Sequence, residues 1–116
     1  MEKVALVAFN GELMCFAHLL LNAFDMKERN YQVEIIMEGS ATKLIKTLHE
    51  DSSLPFAAMY QRAVTDGLIT AVCDACASKM GAKESARAQG LALVNDIKGH
   101  PSLAKYIDKG YRIITF

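Results

Sequence analysis

Cys73 and Cys76 stand together in the stretch ITAVCDACASKMG, residues 69–81. Two thiols three residues apart can close a disulfide, hold a soft metal ion or carry sulfur. The apolar run before them reads as a strand that Cys73 ends. Cys76 then falls in the first turn of the helix that follows. Backbone N–H groups and the helix dipole at such a junction favour a thiolate, the form that attacks disulfides and accepts sulfur. The plainer reading is two small buried hydrophobes, since free cysteines are often buried.

A metal centre needs more ligands than this pair. Zinc sites usually show two close-spaced pairs. The second pair on offer is Cys15-x-x-His18, whose spacing can put both side chains on one helix face. The alternative metal set is therefore Cys15, His18, Cys73 and Cys76, with His100 as a further candidate. In so apolar a helix the same CxxH also reads as a buried cysteine beside a partly exposed histidine.

The other chemistry-bearing residues each admit two readings. His100 lies between Gly99 and Pro101 and fits a loop or helix-cap residue. It equally fits a base or cationic neighbour for a thiol. Glu38 ends an apolar run ahead of GSAT, where Ser40 or Thr42 can cap a helix. It is either a solvated loop carboxylate or a group that orients a ligand or moves a proton. Gly39 and Ser40, with Lys43 nearby, could also cup an anion. His49, among Leu48, Glu50 and Asp51, reads as solvated surface. No GxGxxG or Walker-type loop occurs, so no nucleotide cofactor is expected.

Positioning these residues requires a scaffold, and strand-like and helix-like segments alternate along the chain. Lys3–Phe9, Tyr31–Met37, Leu68–Val72, Leu91–Val94 and Tyr111–Phe116 read as strands. Helices are expected over Glu12–Arg29, over Thr42–Glu50, from a Ser53 cap with Pro55 in the first turn as far as Gly67, and over residues 75–89 with a break at Gly81. A last helix opens at Pro101 and Ser102 and stops at Gly110. Strands apolar on both faces, alternating with helices, indicate a three-layer α/β/α sandwich with a mainly parallel sheet of about five strands.

In such sheets ligands gather beyond the carboxyl ends of the strands. That rim would collect Asn10, Gly11 and Glu12, then Glu38 to Thr42, then Cys73, Asp74 and Cys76, then Asn95, Asp96, Gly99 and His100. Cys15, one turn into the first helix, could face the same rim. This helix has one narrow polar stripe of Cys15, His18, Asn22, Asp25 and Arg29. The remaining apolar arc is wide enough for deep burial or for packing against another subunit.

Length and composition narrow the possibilities. With 116 residues, of which 52% are hydrophobic, the chain suits one domain over residues 1–116 with one core. A net charge of zero gives no basic surplus for phosphates or a membrane surface, so neither nucleic acid nor membrane is an expected partner. Three cysteines is too few and an odd count for a secreted disulfide scaffold. The start MEKVALVAFNGEL lacks the basic and long apolar regions of a signal peptide. The longest apolar region, Leu13–Leu21, is interrupted by His18 and falls short of the ~18 residues of a membrane span. A cytoplasmic location with reduced thiols is expected.

The layout resembles the DsrE/DsrF-like family. The resemblance rests on the opening strand and Ala/Leu-rich helix, the strand-ending cysteine followed by DACASKMG, and the closing GYRIITF, and it covers essentially the whole chain. It implies a three-layer sandwich and a homo-oligomer, trimer or hexamer. In the sulfur-relay members of the DsrE and TusD type, a cysteine at this place carries sulfur as a persulfide and passes it to a partner protein. Cys73 matches that position. Cys76 is an addition to that pattern, and a thiol there could discharge a persulfide on Cys73 and leave a disulfide. The expected function is thus a sulfur carrier or sulfurtransferase-like protein using Cys73. The alternatives are a Cys73–Cys76 redox couple or a non-catalytic module for a metal or small anion.

Overall fold

Five short runs in which apolar residues predominate line up side by side: β1 (Lys3–Ala8), β2 (Gln32–Met37), β3 (Ile69–Cys73), β4 (Leu93–Val94) and β5 (Arg112–Thr115). The computed structural model describes residues 1–116. The strand order is β4-β3-β2-β1-β5, and every neighbouring pair is parallel. Parallel strands need crossovers and covered faces, which is why β1, β2 and β3 are apolar along most of their length.

The covering is asymmetric. α1 (Leu13–Glu28), α2 (Lys43–Glu50), α3 (Ala57–Thr65), α4 (Asp74–Lys79) and α5 (Lys83–Ala88) share one core with Val4, Leu6, Ala8, Val33, Ile35 and Met37. The alternate strand residues Ala5, Val7, Ile36 and Ala71 face a smaller cluster, closed by Leu103 and Tyr106 of α6 (Leu103–Asp108) and by Tyr111. The period of two along a strand sorts the residues between these layers. The result is the α/β/α sandwich with five strands that the sequence indicates.

β3 departs from this alternation at one point. Its register against β2 shifts between Ile35 and Ile36, so Thr70 has no partner in the ladder. A regular strand would put Ile69 and Val72 on opposite faces, yet both belong to the larger core. This bulge resets the phase in which Cys73 leaves the strand.

Two expectations need correction. Ser53 does not cap α3, because the Asp51 carboxylate accepts both its backbone N–H and its hydroxyl. The helix instead starts at Ala57, after Phe56 in the left-handed region at φ 68°. The segment after Glu38 is a 3₁₀ turn, Gly39–Thr42, running directly into α2. Ser40 and Thr42 turn their hydroxyls to other backbone groups, the N–H of Gly11 and the carbonyl of Gly39 respectively. Of the two readings of the apolar arc of α1, burial within the chain accounts for most of it. Phe16, Ala17, Leu19, Leu20 and Ala23 are buried, while Met14 and Leu21 are the large apolar residues of this helix left exposed.

Candidate functional site

Cys73 closes β3 and occupies the cap position of α4, where its Sγ accepts the N–H of Cys76 at 3.4 Å. The Sγ atoms of Cys73 and Cys76 stand 2.9 Å apart. Cys73 is fully buried, Cys76 only partly. His100 completes the cluster, with Nδ1 3.0 Å from the Cys73 Sγ and 3.8 Å from the Cys76 Sγ.

His100 arrives there through a tight turn. Ile97 and His100 exchange backbone hydrogen bonds of 2.8 and 3.0 Å. The two residues between them, Lys98 and Gly99, have φ of 48° and 91°. Positive φ at both central positions is the requirement of a type I′ turn, and glycine meets it without strain. Gly99 is also the contact point with α4. A Cβ there would lie 2.8 Å from the Cβ of Ala75, and its carbonyl accepts the Ala75 N–H at 2.9 Å. On the far side Asp96 accepts from the Ser102 N–H at 3.1 Å and from Lys105 Nζ at 2.7 Å, tying the turn to α6. These groups hold the Asp96 carboxyl below its ordinary range, the Lys105 ammonium contributing most.

Burial governs the electrostatics of the cluster. It pushes the Cys73 thiol up to about 12, with the hydrogen bond and charge of Cys76 and the charge of Glu38 acting in the same direction. The N–H of Cys76 pulls the other way and is outweighed. The thiolate expected at the strand-to-helix junction is therefore not what the structure favours. One N–H at 3.4 Å does not offset removal of the sulfur from water. Glu38, buried at the end of β2, is likewise raised by desolvation and partly held down by the His100 charge.

Beside the cluster opens a cleft of ≈ 450 Å³ lined by Gly39, Ser40, Ala75, Cys76, Lys79, Met80 and His100. Cys76 and His100 are on its wall, while Cys73 is not among the lining residues. Lys79 and Met80 were not among the residues expected at the site. Their spacing from Cys76, three and four residues on, puts them on the same helix face and was the available signal.

The remaining candidates fall outside the cluster. Asn10 is exposed, and its side chain accepts the Glu12 N–H at 2.8 Å, shaping the entry to α1. Cys15 is half-buried and His18 exposed, and neither adds a ligand atom to the group formed by Cys73, Cys76 and His100. The four-residue metal set built on Cys15 and His18 is thus not assembled; the third ligand-bearing side chain is His100. Side-chain spacing within α1 says nothing about the distance from α1 to β3. The histidine comes instead from the turn that packs on α4.

A second polar group lies on the α6 side of the sheet. Glu34 accepts hydrogen bonds from Thr70, at 2.9 Å, and from Tyr111, which in turn accepts from Gln32 at 2.6 Å. The bulge in β3 supplies Thr70, and no periodicity in the sequence marks this network.

Comparison with known proteins follows the same outline. The DsrE/DsrF-like family matches residues 7–116. The uncharacterised protein MJ0733 of Methanocaldococcus jannaschii is 41% identical over 97 residues, covering 84% of this chain and 76% of that protein. An uncharacterised protein of Archaeoglobus fulgidus is 39% identical over 41 residues, covering 35% of this chain and 67% of its own length. Among solved structures, the conserved protein of unknown function BT1422 from Bacteroides thetaiotaomicron superposes with a TM-score of 0.71 at 19% identity. That superposition covers 99% of this chain and 95% of BT1422 and shows the shared fold. No helix of the chain is long and apolar enough to cross a membrane.

Proposed function

This chain belongs to the DsrE/DsrF-like family, and from that premise we propose that it carries sulfur as a persulfide on Cys73. The observation that supports this reading is the Cys73 Sγ held between the Cys76 Sγ at 2.9 Å and His100 Nδ1 at 3.0 Å. With its own proton on Nε2, His100 can take the Cys73 proton through Nδ1, which a thiol held so far above the ordinary range requires. The Cys73 thiolate then attacks the outer sulfur of a donor persulfide. A new S–S bond forms on Cys73, the donor's S–S bond breaks, and the donor thiolate leaves with its electron pair. No net oxidation occurs. Handing the sulfur to an acceptor thiol repeats the exchange in reverse.

The test is to incubate the reduced, metal-free protein with a low-molecular-weight persulfide and weigh it intact. Wild type gains one sulfur atom and Cys73→Ser gains none. Equal gain by the two proteins, or none by either, overturns the reading.

The 2.9 Å separation of the sulfurs also favours a second reading, a Cys73–Cys76 dithiol/disulfide couple. In it the Cys76 thiolate attacks the inner sulfur of the Cys73 persulfide, sulfide leaves, and a disulfide remains for an external thiol to reduce. Mild oxidation by a disulfide reagent then produces a loss of two hydrogens that needs both cysteines. A pair that stays reduced under those conditions removes this version.

The same reading includes a cytoplasmic homo-oligomer, trimer or hexamer, with Met14 and Leu21 of α1 as apolar residues left for a second copy to cover. Light scattering at micromolar concentration tests it; a monomeric mass would overturn it.

A further inference from the structure

We infer that Cys73, Cys76 and His100 form a three-ligand site for a thiophilic d¹⁰ cation, with zinc the ion to test. This goes beyond the sulfur-carrier reading and does not depend on it. The two sulfurs and the imidazole nitrogen all lie within 4.8 Å of one another and converge on one point from two segments of chain. Tetrahedral zinc, with Zn–S of ≈ 2.3 Å and Zn–N of ≈ 2.0–2.1 Å, needs ligand atoms roughly 3.5–3.8 Å apart. The present separations are 2.9, 3.0 and 3.8 Å. Opening two of them by less than about 1 Å, within the reach of small χ rotations, meets the tetrahedral requirement.

The surroundings fit the ion as well. Two thiolates balance the charge of a divalent cation, and a neutral imidazole adds none, so the filled centre is net neutral where Cys73 is buried. The ligand types, sulfur with nitrogen, are those that select zinc over magnesium or calcium. Three protein ligands leave one coordination position. Cys76 and His100 line the ≈ 450 Å³ cleft, which gives that position a path to water or a small anionic ligand, with the Lys79 side chain on the same wall. Closed structural zinc sites have four protein ligands, whereas an open fourth position is the pattern of sites that act on a bound molecule.

The experiment uses the full reduced chain, stripped with a chelator and kept free of any sulfur donor. Zinc is titrated against a competing chromophoric chelator, and cobalt serves as the spectroscopic probe. One equivalent of zinc binds per chain, and cobalt shows sulfur-to-metal charge transfer with the intense visible bands of a tetrahedral ion. Cys73→Ser, Cys76→Ser and His100→Ala each weaken zinc by more than the ~10–100-fold that outer-shell changes cost. Cys15→Ser and His18→Ala leave it unchanged. X-ray absorption of the zinc-loaded wild type needs no variant to fold, and it finds two sulfurs and at least one nitrogen around the ion. Substoichiometric binding, a shell of oxygen and nitrogen alone, or affinity that follows Cys15 and His18 overturns the site. Because zinc is tested without a sulfur donor and persulfidation without metal, either can fail with the other intact.

Discussion

The Nδ1 of His100 lies 3.0 Å from the Sγ of Cys73, across 27 residues of chain. Nothing local to either residue produces this contact. It depends on β4 pairing beside β3, on the turn at Lys98 and Gly99, and on the close seat of that turn against Ala75. The contact puts an imidazole nitrogen on a buried thiol and a third ligand-type atom beside two sulfurs. Both the proposed sulfur chemistry and the proposed metal site rest on it.

Gly99→Ala should loosen that seat. The backbone sits at φ 91°, and the added Cβ meets the Ala75 Cβ at 2.8 Å. A strained backbone position of this kind costs roughly 1–3 kcal/mol. Denaturant unfolding should show a loss in that range, and zinc affinity should fall although no ligand is changed. Wild-type stability and affinity together would show that the turn does not hold His100 in place.

The reactivity of Cys73 should rise late with pH. Its thiol is pushed up to about 12, so between neutral pH and that value it remains largely protonated. Site-resolved mass spectrometry of iodoacetamide labelling should show its rate still climbing beyond pH 9.5, where an ordinary cysteine of pKa ~8.5 has levelled off. Glu38→Gln and Cys76→Ala each remove a group that raises Cys73, so both should shift its profile to lower pH. A profile that levels off at or below the ordinary value would contradict this.

Gln89 should prove a stability residue remote from the sulfurs. Its side chain accepts the Tyr60 hydroxyl at 2.6 Å and donates to the Ile45 carbonyl at 3.0 Å, linking α3 and α2 to the end of α5. Tyr60 is fully buried, so Gln89→Leu leaves its hydroxyl without that partner. The expected loss is about 1–3 kcal/mol, read by thermal or urea unfolding. Tyr60→Phe in the Gln89→Leu background should recover part of it, and failure to recover any would argue that packing, not the hydroxyl, is at stake.

Tyr111 should make stability fall at high pH. Its phenol is raised to about 12, chiefly by its hydrogen bond to Glu34, which favours the protonated form. Below the unfolded value of ~10 both states keep the proton and the contribution is whole. Between there and about 12 the unfolded chain ionises while the folded chain does not, so stability declines across that window. Urea midpoints measured at successive pH values should show a shallower alkaline decline for Tyr111→Phe. Parallel declines for the two proteins would remove Tyr111 from the account.

The elements and their layering were legible in the order of residues alone. The runs ending at Ala8, Met37 and Cys73 are short and mostly apolar on both faces, and a parallel sheet covered on both sides buries such runs. The break at Gly81 was equally legible, because positive φ there, 71°, suits glycine and stops a helix. Cys73 and Cys76 were legible as a pair because their spacing is local. The partner of that pair was decided by tertiary structure. Cys15-x-x-His18 offers a better pattern than a lone His100, yet distance between elements has no signature in the spacing within one of them. The same holds for ionisation. The cap position of Cys73 argues for a thiolate, and only the packed structure, which removes its sulfur from water and sets Glu38 and Cys76 around it, reverses that balance. Local rules act through neighbours in the chain, while desolvation and charge act through neighbours in space, and these are known only once the chain has folded.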